Sequence, residues 1–150
     1  MEGREDRRHN DLFYLCSLIE YIARCSKNHN RVIVNALGEK TLSKILSLAD
    51  VFHSDNIERV ADDIIVQYNI SPGDFDITKV KYSVPSYWDI GKVYKRLIIS
   101  ASNDNESMYV DKLIEIYNSW IADSIDNYNS SFYYSSPDYI FKSYLKGEPL

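Results

Sequence analysis

The sequence predicts an all-α fold, in which residues 1–150 form a single helical domain of about seven helices. Apolar residues recur at spacings of three and four in successive segments, as on the buried faces of helices. Residues that cap or stop helices separate these segments. The one alternating run, residues 80–84, is too isolated to form a sheet. A chain of 150 residues can bury roughly two thirds of its unfolded surface, which is enough for one core.

The first half of the chain contains four of the predicted helices. Residues 1–10 are strongly charged and are predicted to be a flexible N-terminus. Residues 11–27 carry two apolar stripes side by side, which predicts a central helix that packs on more than one side. Three further helices are predicted over residues 30–37, 39–53 and 56–68, with Asn30 as a cap of the second helix and Gly38 as its stop.

Residues 70–85 contain two prolines and a glycine and are predicted to form one long extended loop. Ser86, with Asp89 three residues later, has the spacing of a capping box and begins a fifth helix. Gly91 inside that helix indicates a close contact with another helix, because glycine there costs about 1 kcal/mol relative to alanine. The longest helix is predicted over residues 108–128, which would place it at the centre beside the first. Ser136 caps a last short helix that ends at Gly147.

Composition and charge exclude several functional classes. The net charge of −5 argues against a nucleic-acid binder, which needs basic residues to displace counterions. The apolar runs fall far short of the ~20 residues that cross a bilayer, and the charged N-terminus lacks the pattern of a secretory signal. Cys16 and Cys25 lie about 13 Å apart along one helix, so we expect free thiols in a cytoplasmic protein. The glycines form no phosphate-binding loop, and we predict neither a cofactor nor a metal site.

Few residues have the spacing of a catalytic site. His53 follows Asp50 by three residues, so the two could form a carboxylate-oriented imidazole at the centre of a small enzyme. A histidine at a helix C-terminus is also favoured by the helix dipole alone. Asp62 and Asp63 fall off the apolar face of their helix and are interpreted as solvated. The sequence therefore favours a non-catalytic protein over an enzyme and assigns no catalytic residues.

The C-terminal aromatic segment, residues 128–144, holds five tyrosines and two phenylalanines. These rings could clamp the last helix onto the bundle, or they could bind a partner, since tyrosine is enriched at interfaces. A basic triple and two aromatic residues in the fifth helix could belong to the same surface. We predict a surface for a protein partner that consists of Tyr87, Trp88, Lys92, Lys95, Arg96, Tyr133, Tyr134 and Tyr139. Self-association of the chain is left open.

Several segments resemble known protein groups. The segments "FYLCSLIEYIA", "ADVFH" and "VADDII" resemble a family of short bacterial domains of unknown function. The segments "YSVPSYWDIGKVYKRLI" and "SSFYYSSPDYIFKSYLKG" resemble small proteins from the same genomic setting, near genes for ADP-ribosyltransferase-like toxins. The resemblance implies a small helical protein that acts as an antitoxin-like or accessory partner of such an enzyme. It implies no catalytic residue.

Overall fold

The computed structural model describes residues 2–75, 84–127 and 132–150, with side chains from residue 7 onward. Within these ranges the chain forms eight α-helices and no strand, which confirms the all-α fold. The helices are α1 (Glu2–Ser26), α2 (Asn30–Ser47), α3 (Ala49–His53), α4 (Ile57–Gln67), α5 (Tyr87–Ala101), α6 (Tyr109–Tyr117), α7 (Trp120–Ile125) and α8 (Pro137–Lys146). Two 3₁₀ turns, Glu106–Met108 and Phe132–Tyr134, precede α6 and α8. No helix of the described chain is long and apolar enough to span a membrane.

Helix α1 is at the centre of the fold, as its two apolar stripes predicted. It packs against α2, α3, α4 and α5, and most extensively against α5. Almost every side chain from Leu12 to Ala23 is buried. The helix begins at Glu2, not at residue 11, and its N-terminal turns are tied to the loop before α6. There Arg8 donates to the Asp104 carbonyl at 3.3 Å, and the His9 ring lies 2.9 Å from the Asp104 carboxylate.

Gly91 lies where α5 crosses α1, which confirms the predicted close contact. A Cβ at this position would stand 2.9 Å from the Ser17 Cα and 2.6 Å from its Oγ. The backbones of the two helices can approach this closely only because Gly91 has no side chain. Ser86 begins α5 as predicted, since its hydroxyl accepts a hydrogen bond from the Asp89 N–H at 3.0 Å.

The backbone leaves the helical region at Gly38, as its predicted role of helix stop requires. Gly38 has φ 78° and ψ 172°, so α2 consists of two helical segments that meet at a kink, and the second segment runs to Ser47. A further break, which the sequence did not predict, falls at Leu48, after which the short α3 runs over Ala49–His53.

The predicted long helix over residues 108–128 is also broken, at Asn118 and Ser119. Ser119 has an extended backbone, with φ −97° and ψ 171°, and its hydroxyl donates to the Ile116 carbonyl at 2.8 Å. The Asn118 amide donates to Ile114 O and exchanges hydrogen bonds of 2.9 Å with Asn35 of α2. Side chains that bond to the backbone compete with helix continuation in this way. The result is α6 and α7 in place of one helix.

The predicted loop over residues 70–85 is non-helical where the structure describes it, at residues 70–75 and 84–85. Its beginning is held on the end of α1, since the Gly73 N–H donates to Ser26 O at 2.8 Å. Its end is held there too, because Arg24 donates to the Pro85 carbonyl at 2.6 Å. The predicted alternating run, residues 80–84, lies outside the described residues except for Val84.

We expect Gly91→Ala to destabilise the protein by about 1 to 3 kcal/mol, because the added methyl group would force α1 and α5 apart. The higher helix propensity of alanine would offset only about 1 kcal/mol of this loss. Gly38→Ala gives the cost of backbone strain alone for comparison, since no atom lies within 4 Å of its Cβ position and its loss of stability comes only from the positive φ. Urea denaturation followed by circular dichroism measures both. A Gly91→Ala variant as stable as the wild type would refute the close-contact argument.

Candidate functional site

The structure brings the C-terminal aromatic segment against the basic face of α5. Between them lies a cavity of about 230 Å³, which we call the α5–α8 cleft. Its lining from α5 is Asp89, Lys92, Val93, Arg96 and Leu97, and its lining from the C-terminal side is Tyr133, Tyr134, Ser135, Pro137 and Ile140. Four of the eight residues predicted to bind a partner, Lys92, Arg96, Tyr133 and Tyr134, therefore meet at one site.

Tyr133 and Tyr134 are presented by the 3₁₀ turn before α8. Their rings meet edge to face, with centroids 4.8 Å apart. The two rings differ in exposure, since Tyr133 is half-buried whereas Tyr134 is 71% exposed. Burial and the nearby charge of Asp89 raise the pKa of Tyr133. Tyr134 is thus an aromatic ring held at the surface beside the cleft.

The charged side chains of the cleft are Lys92, Arg96 and Asp89. Lys92 and Arg96 are one helical turn apart, so they stand on the same side of α5. Both are exposed, and neither forms an ion pair or hydrogen bond within the part of the chain that the structure describes. The cleft therefore combines an apolar floor with two cations that have no partner among the described residues.

Tyr87, Trp88 and Lys95, which were predicted to join this surface, do not line the cleft. The Trp88 ring packs on Phe13 of α1, with centroids 5.5 Å apart, and Lys95 Nζ lies 5.7 Å above the same Phe13 ring. The Tyr87 ring meets the Tyr21 ring of α1 edge to face, with centroids 4.9 Å apart. Burial, followed by the charges of the neighbouring cations, lowers the pKa of Lys95. The predicted surface is thus divided along α5 into the cleft and a partly buried cluster against α1.

Phe132, Phe141 and Tyr144 of the aromatic segment pack onto the bundle, whereas Tyr128 lies outside the described residues. Tyr139, the remaining predicted residue, donates from its hydroxyl to the Leu150 carbonyl at 2.9 Å, and its ring meets Phe132 edge to face at 6.1 Å. The Tyr144 hydroxyl bonds to Glu115 of α6. The segment therefore contains both rings that clamp α8 onto the bundle and one ring, Tyr134, that is mostly exposed.

His53 and Asp50, the proposed catalytic seed, both lie exposed on α3. The His53 ring contacts Tyr14, with centroids 5.0 Å apart. Asp50 lies 3.9 Å from the exposed Arg7 and next to Asp11, whose pKa is raised to about 6 by burial and by the Asp50 charge. No hydrogen bond joins Asp50 to His53 among the described residues. The geometry adds nothing to the hypothesis that they form an active site.

Sequence reasoning missed a buried polar network that joins four helices. The Asn30 amide nitrogen lies 3.0 Å from the Glu20 carboxylate and 2.8 Å from the Asp126 carboxylate. The Tyr94 hydroxyl donates to the other Asp126 oxygen at 2.8 Å. Glu20 is only 3% exposed, and Tyr94 is fully buried and stacked on Tyr117 at 4.1 Å. The network links α1, α2 and α5 to the residue that ends α7.

Burial changes the protonation of these two carboxyl groups. Burial, and then the charge of Asp126, raises the pKa of Glu20 to about 8. Burial raises the pKa of Asp126 to about 7, although its hydrogen bonds from Tyr94 and Asn30 act in the opposite direction. Arg24 on one side and Arg31 on the other also favour the ionised forms. The pair therefore retains at least one proton at neutral pH, and it titrates as a unit.

The two acids and Asn30 had no signal that sequence periodicity could reveal. Asn30 was interpreted as a helix cap, but the cap residue is His29, and the Asn30 side chain points inward to the acids. Glu20 lies beside Ile19 within the mostly apolar residues 12–23 of α1, which is the one hint that a carboxyl could be buried. Glu20 is closed to solvent and Asp126 is partly exposed. Since the two acids accept hydrogen bonds from Asn30 and Tyr94, the network is best explained as structural.

Comparison with models of protein families, with curated proteins and with solved structures finds no match. Among the described residues, no group of three or more histidine, cysteine, aspartate or glutamate side chains is arranged to hold a metal ion. Both cysteines are free thiols, as predicted, with Cys16 buried and Cys25 exposed.

We expect the buried acids to make the protein less stable as the pH rises from about 4 to about 8. The unfolded chain releases these protons near pH 4, whereas the folded chain holds them until about pH 7 to 8. Within this window, each proton that the folded chain holds and the unfolded chain has released lowers the free energy of unfolding by about 1.4 kcal/mol for every unit of rising pH. Below the window both states are protonated, so the stabilisation is fully present there.

Glu20→Gln tests this expectation, because the amide resembles the protonated acid and cannot ionise. Urea denaturation at several pH values should show a flatter pH dependence for this variant than for the wild type, and greater stability at pH 8. Asp62→Asn, which removes an exposed carboxyl of α4, is the matched control and should leave the slope unchanged. Equal slopes for Glu20→Gln and the wild type would contradict the assignment.

Proposed function

We propose that this protein is a non-catalytic interaction module that binds a protein partner at the α5–α8 cleft. The resemblance of its segments to proteins encoded near toxin genes supports a specific partner class. The partner would be an ADP-ribosyltransferase-type enzyme of a bacterial cytoplasm, and this chain its antitoxin-like or accessory protein.

One observation carries the proposal, namely that an exposed tyrosine and two cations without an ion pair among the described residues surround a small cavity with an apolar floor. Tyr134 is 71% exposed although its neighbours in the same segment pack onto the bundle. Tyrosine and arginine are the residues that most often dominate binding energy at protein interfaces. An aromatic anchor with a charged rim is the usual anatomy of such a surface.

The positions of the perturbed acids also support a non-catalytic role. Glu20 and Asp126 have the most strongly raised carboxyl pKa values, and such groups are candidates for catalysis when they line a cleft. Here their hydrogen bonds go to Asn30 and Tyr94, which fix the helices relative to one another. The two carboxyl groups therefore hold the helices together.

We expect Tyr134→Ala to weaken partner binding by about 2 kcal/mol or more, roughly thirtyfold, if the ring is an anchor of the interface. Its melting temperature should change little, because the side chain is mostly exposed. Affinity capture from the native cell, with mass spectrometry of the captured proteins, measures the first effect. Thermal denaturation measures the second.

Val66→Ala is the matched control, since it truncates an exposed apolar side chain of α4 away from the cleft. It should capture the same partner as the wild type. If Tyr134→Ala captures the partner as well as the wild type does, the cleft is not the binding site. If the captured partner belongs to another enzyme class and Tyr134→Ala loses it, the site is correct and the proposed partner class is wrong.

A further inference from the structure

The size of the α5–α8 cleft restricts what it can hold. Its volume of about 230 Å³ is below the roughly 300 to 1,000 Å³ typical of pockets for small molecules and cofactors. Its floor is apolar, formed by Val93, Leu97 and Ile140, of which the last two are buried in the core. A cavity of this size and polarity suits one apolar or aromatic side chain of a partner protein.

The charge at the rim restricts the occupant further. Some cations of the described chain have carboxylate partners, such as Arg8 with Asp104 and Lys142 with Asp138, whereas others have none. Lys92 and Arg96 belong to the second group within the described chain, and both line the cleft. Arginine can bind a carboxylate through two parallel hydrogen bonds, and lysine supplies a second positive charge beside it.

One acid also lines the cleft, and it limits the positive charge there. Asp89 lies one turn before Val93, and its charge acts on Tyr133. The lining therefore carries two positive charges and one negative charge. Such a small excess is too weak for a nucleic-acid backbone, whose binding requires many phosphate contacts. It is sufficient for one or two carboxylates beside an anchor side chain.

We infer that the α5–α8 cleft binds an acidic segment of the partner protein. One apolar or aromatic side chain of that segment occupies the cavity beside Tyr133 and Tyr134, and flanking carboxylates pair with Lys92 and Arg96. This inference rests on the proposed function, because it specifies the chemistry of the partner at the same surface. Complementary charge at the rim chiefly increases the association rate and the specificity.

The test uses short synthetic peptides with a fluorescent label and a central tryptophan flanked by glutamates. Matched peptides carry glutamine or lysine in place of the glutamates. Fluorescence anisotropy with the full chain measures binding at about 0.1 M and about 1 M salt, between which the Debye length falls from about 10 Å to about 3 Å. We expect the glutamate peptide to bind at least about tenfold more tightly than the glutamine peptide at low salt, and the difference to shrink at high salt.

The double variant Lys92→Glu and Arg96→Glu should lose this preference. Lys40→Glu with Lys44→Glu is the matched control, because these exposed lysines of α2 have the same spacing and the same change of net charge. The control should bind the glutamate peptide as the wild type does. Circular dichroism checks that both double variants are folded.

Four results would overturn the inference. Equal binding of the glutamate and glutamine peptides, or no peptide binding, would exclude an acidic segment. Equal losses of glutamate-peptide binding in both double variants would show that the preference depends only on the net charge of the chain. A dimer that Tyr134→Ala dissociates and the glutamate peptide does not would identify a second copy of this chain as the occupant.

The failure of the inference and the failure of the proposed function can be distinguished. If Tyr134→Ala still abolishes capture of the native partner while charge reversal has no effect, the cleft binds a protein through apolar contacts, and only the acidic segment is wrong. If Tyr134→Ala leaves native capture intact, the proposed function itself fails.

Discussion

The close approach of α1 and α5 sets the position of both polar features of the protein. Gly91 lets the α5 backbone come so near Ser17 that a single methyl group would collide with the α1 backbone. With α5 in this position, Tyr94 on one of its sides reaches the buried network and donates to Asp126. Another side, with Lys92 and Arg96, remains at the surface and forms one wall of the α5–α8 cleft. Core and cleft therefore depend on the same helix contact.

The buried network explains how helices that are distant in sequence share one arrangement. Asn30 and Asp126, 96 positions apart, meet at 2.8 Å, and Glu20 completes the contact from α1. A buried carboxyl group is expensive unless it is protonated or hydrogen-bonded, so any shift of α2 or α7 would leave a polar group unsatisfied. Such a network favours one register of the helices over alternatives that are equally apolar, which a hydrophobic core alone discriminates less well.

Local patterns in the sequence were sufficient to predict the all-α fold, the caps at Ser86 and Ser136, and the close contact at Gly91. They were insufficient at residue 118, because the apolar stripe continues through Tyr117 and Trp120. The break depends on side-chain hydrogen bonds, one between Asn118 and Asn35 of α2 and one from Ser119 back to the Ile116 carbonyl. The acid network was likewise invisible, since it exists only once distant segments meet. The sequence shows that the segment is rich in aromatic residues. Which rings pack and which are exposed depends on how α8 docks onto the bundle, and the sequence does not show this.

That division has an energetic consequence for binding. After the exposed ring, Ile140 and Ser143 of α8 are buried, and the hydroxyls of Tyr139 and Tyr144 are bonded to Leu150 and to α6. Before it, the Phe132 ring meets Trp120 of α7 edge to face, so the segment is attached on both sides of Tyr134. Immobilising a flexible side chain or loop at an interface costs roughly 0.5 to 1.5 kcal/mol for each group that must be ordered. Because the neighbouring rings are already fixed by packing, Tyr134 is presented from an ordered turn, and a partner would gain its contact area with little of that loss.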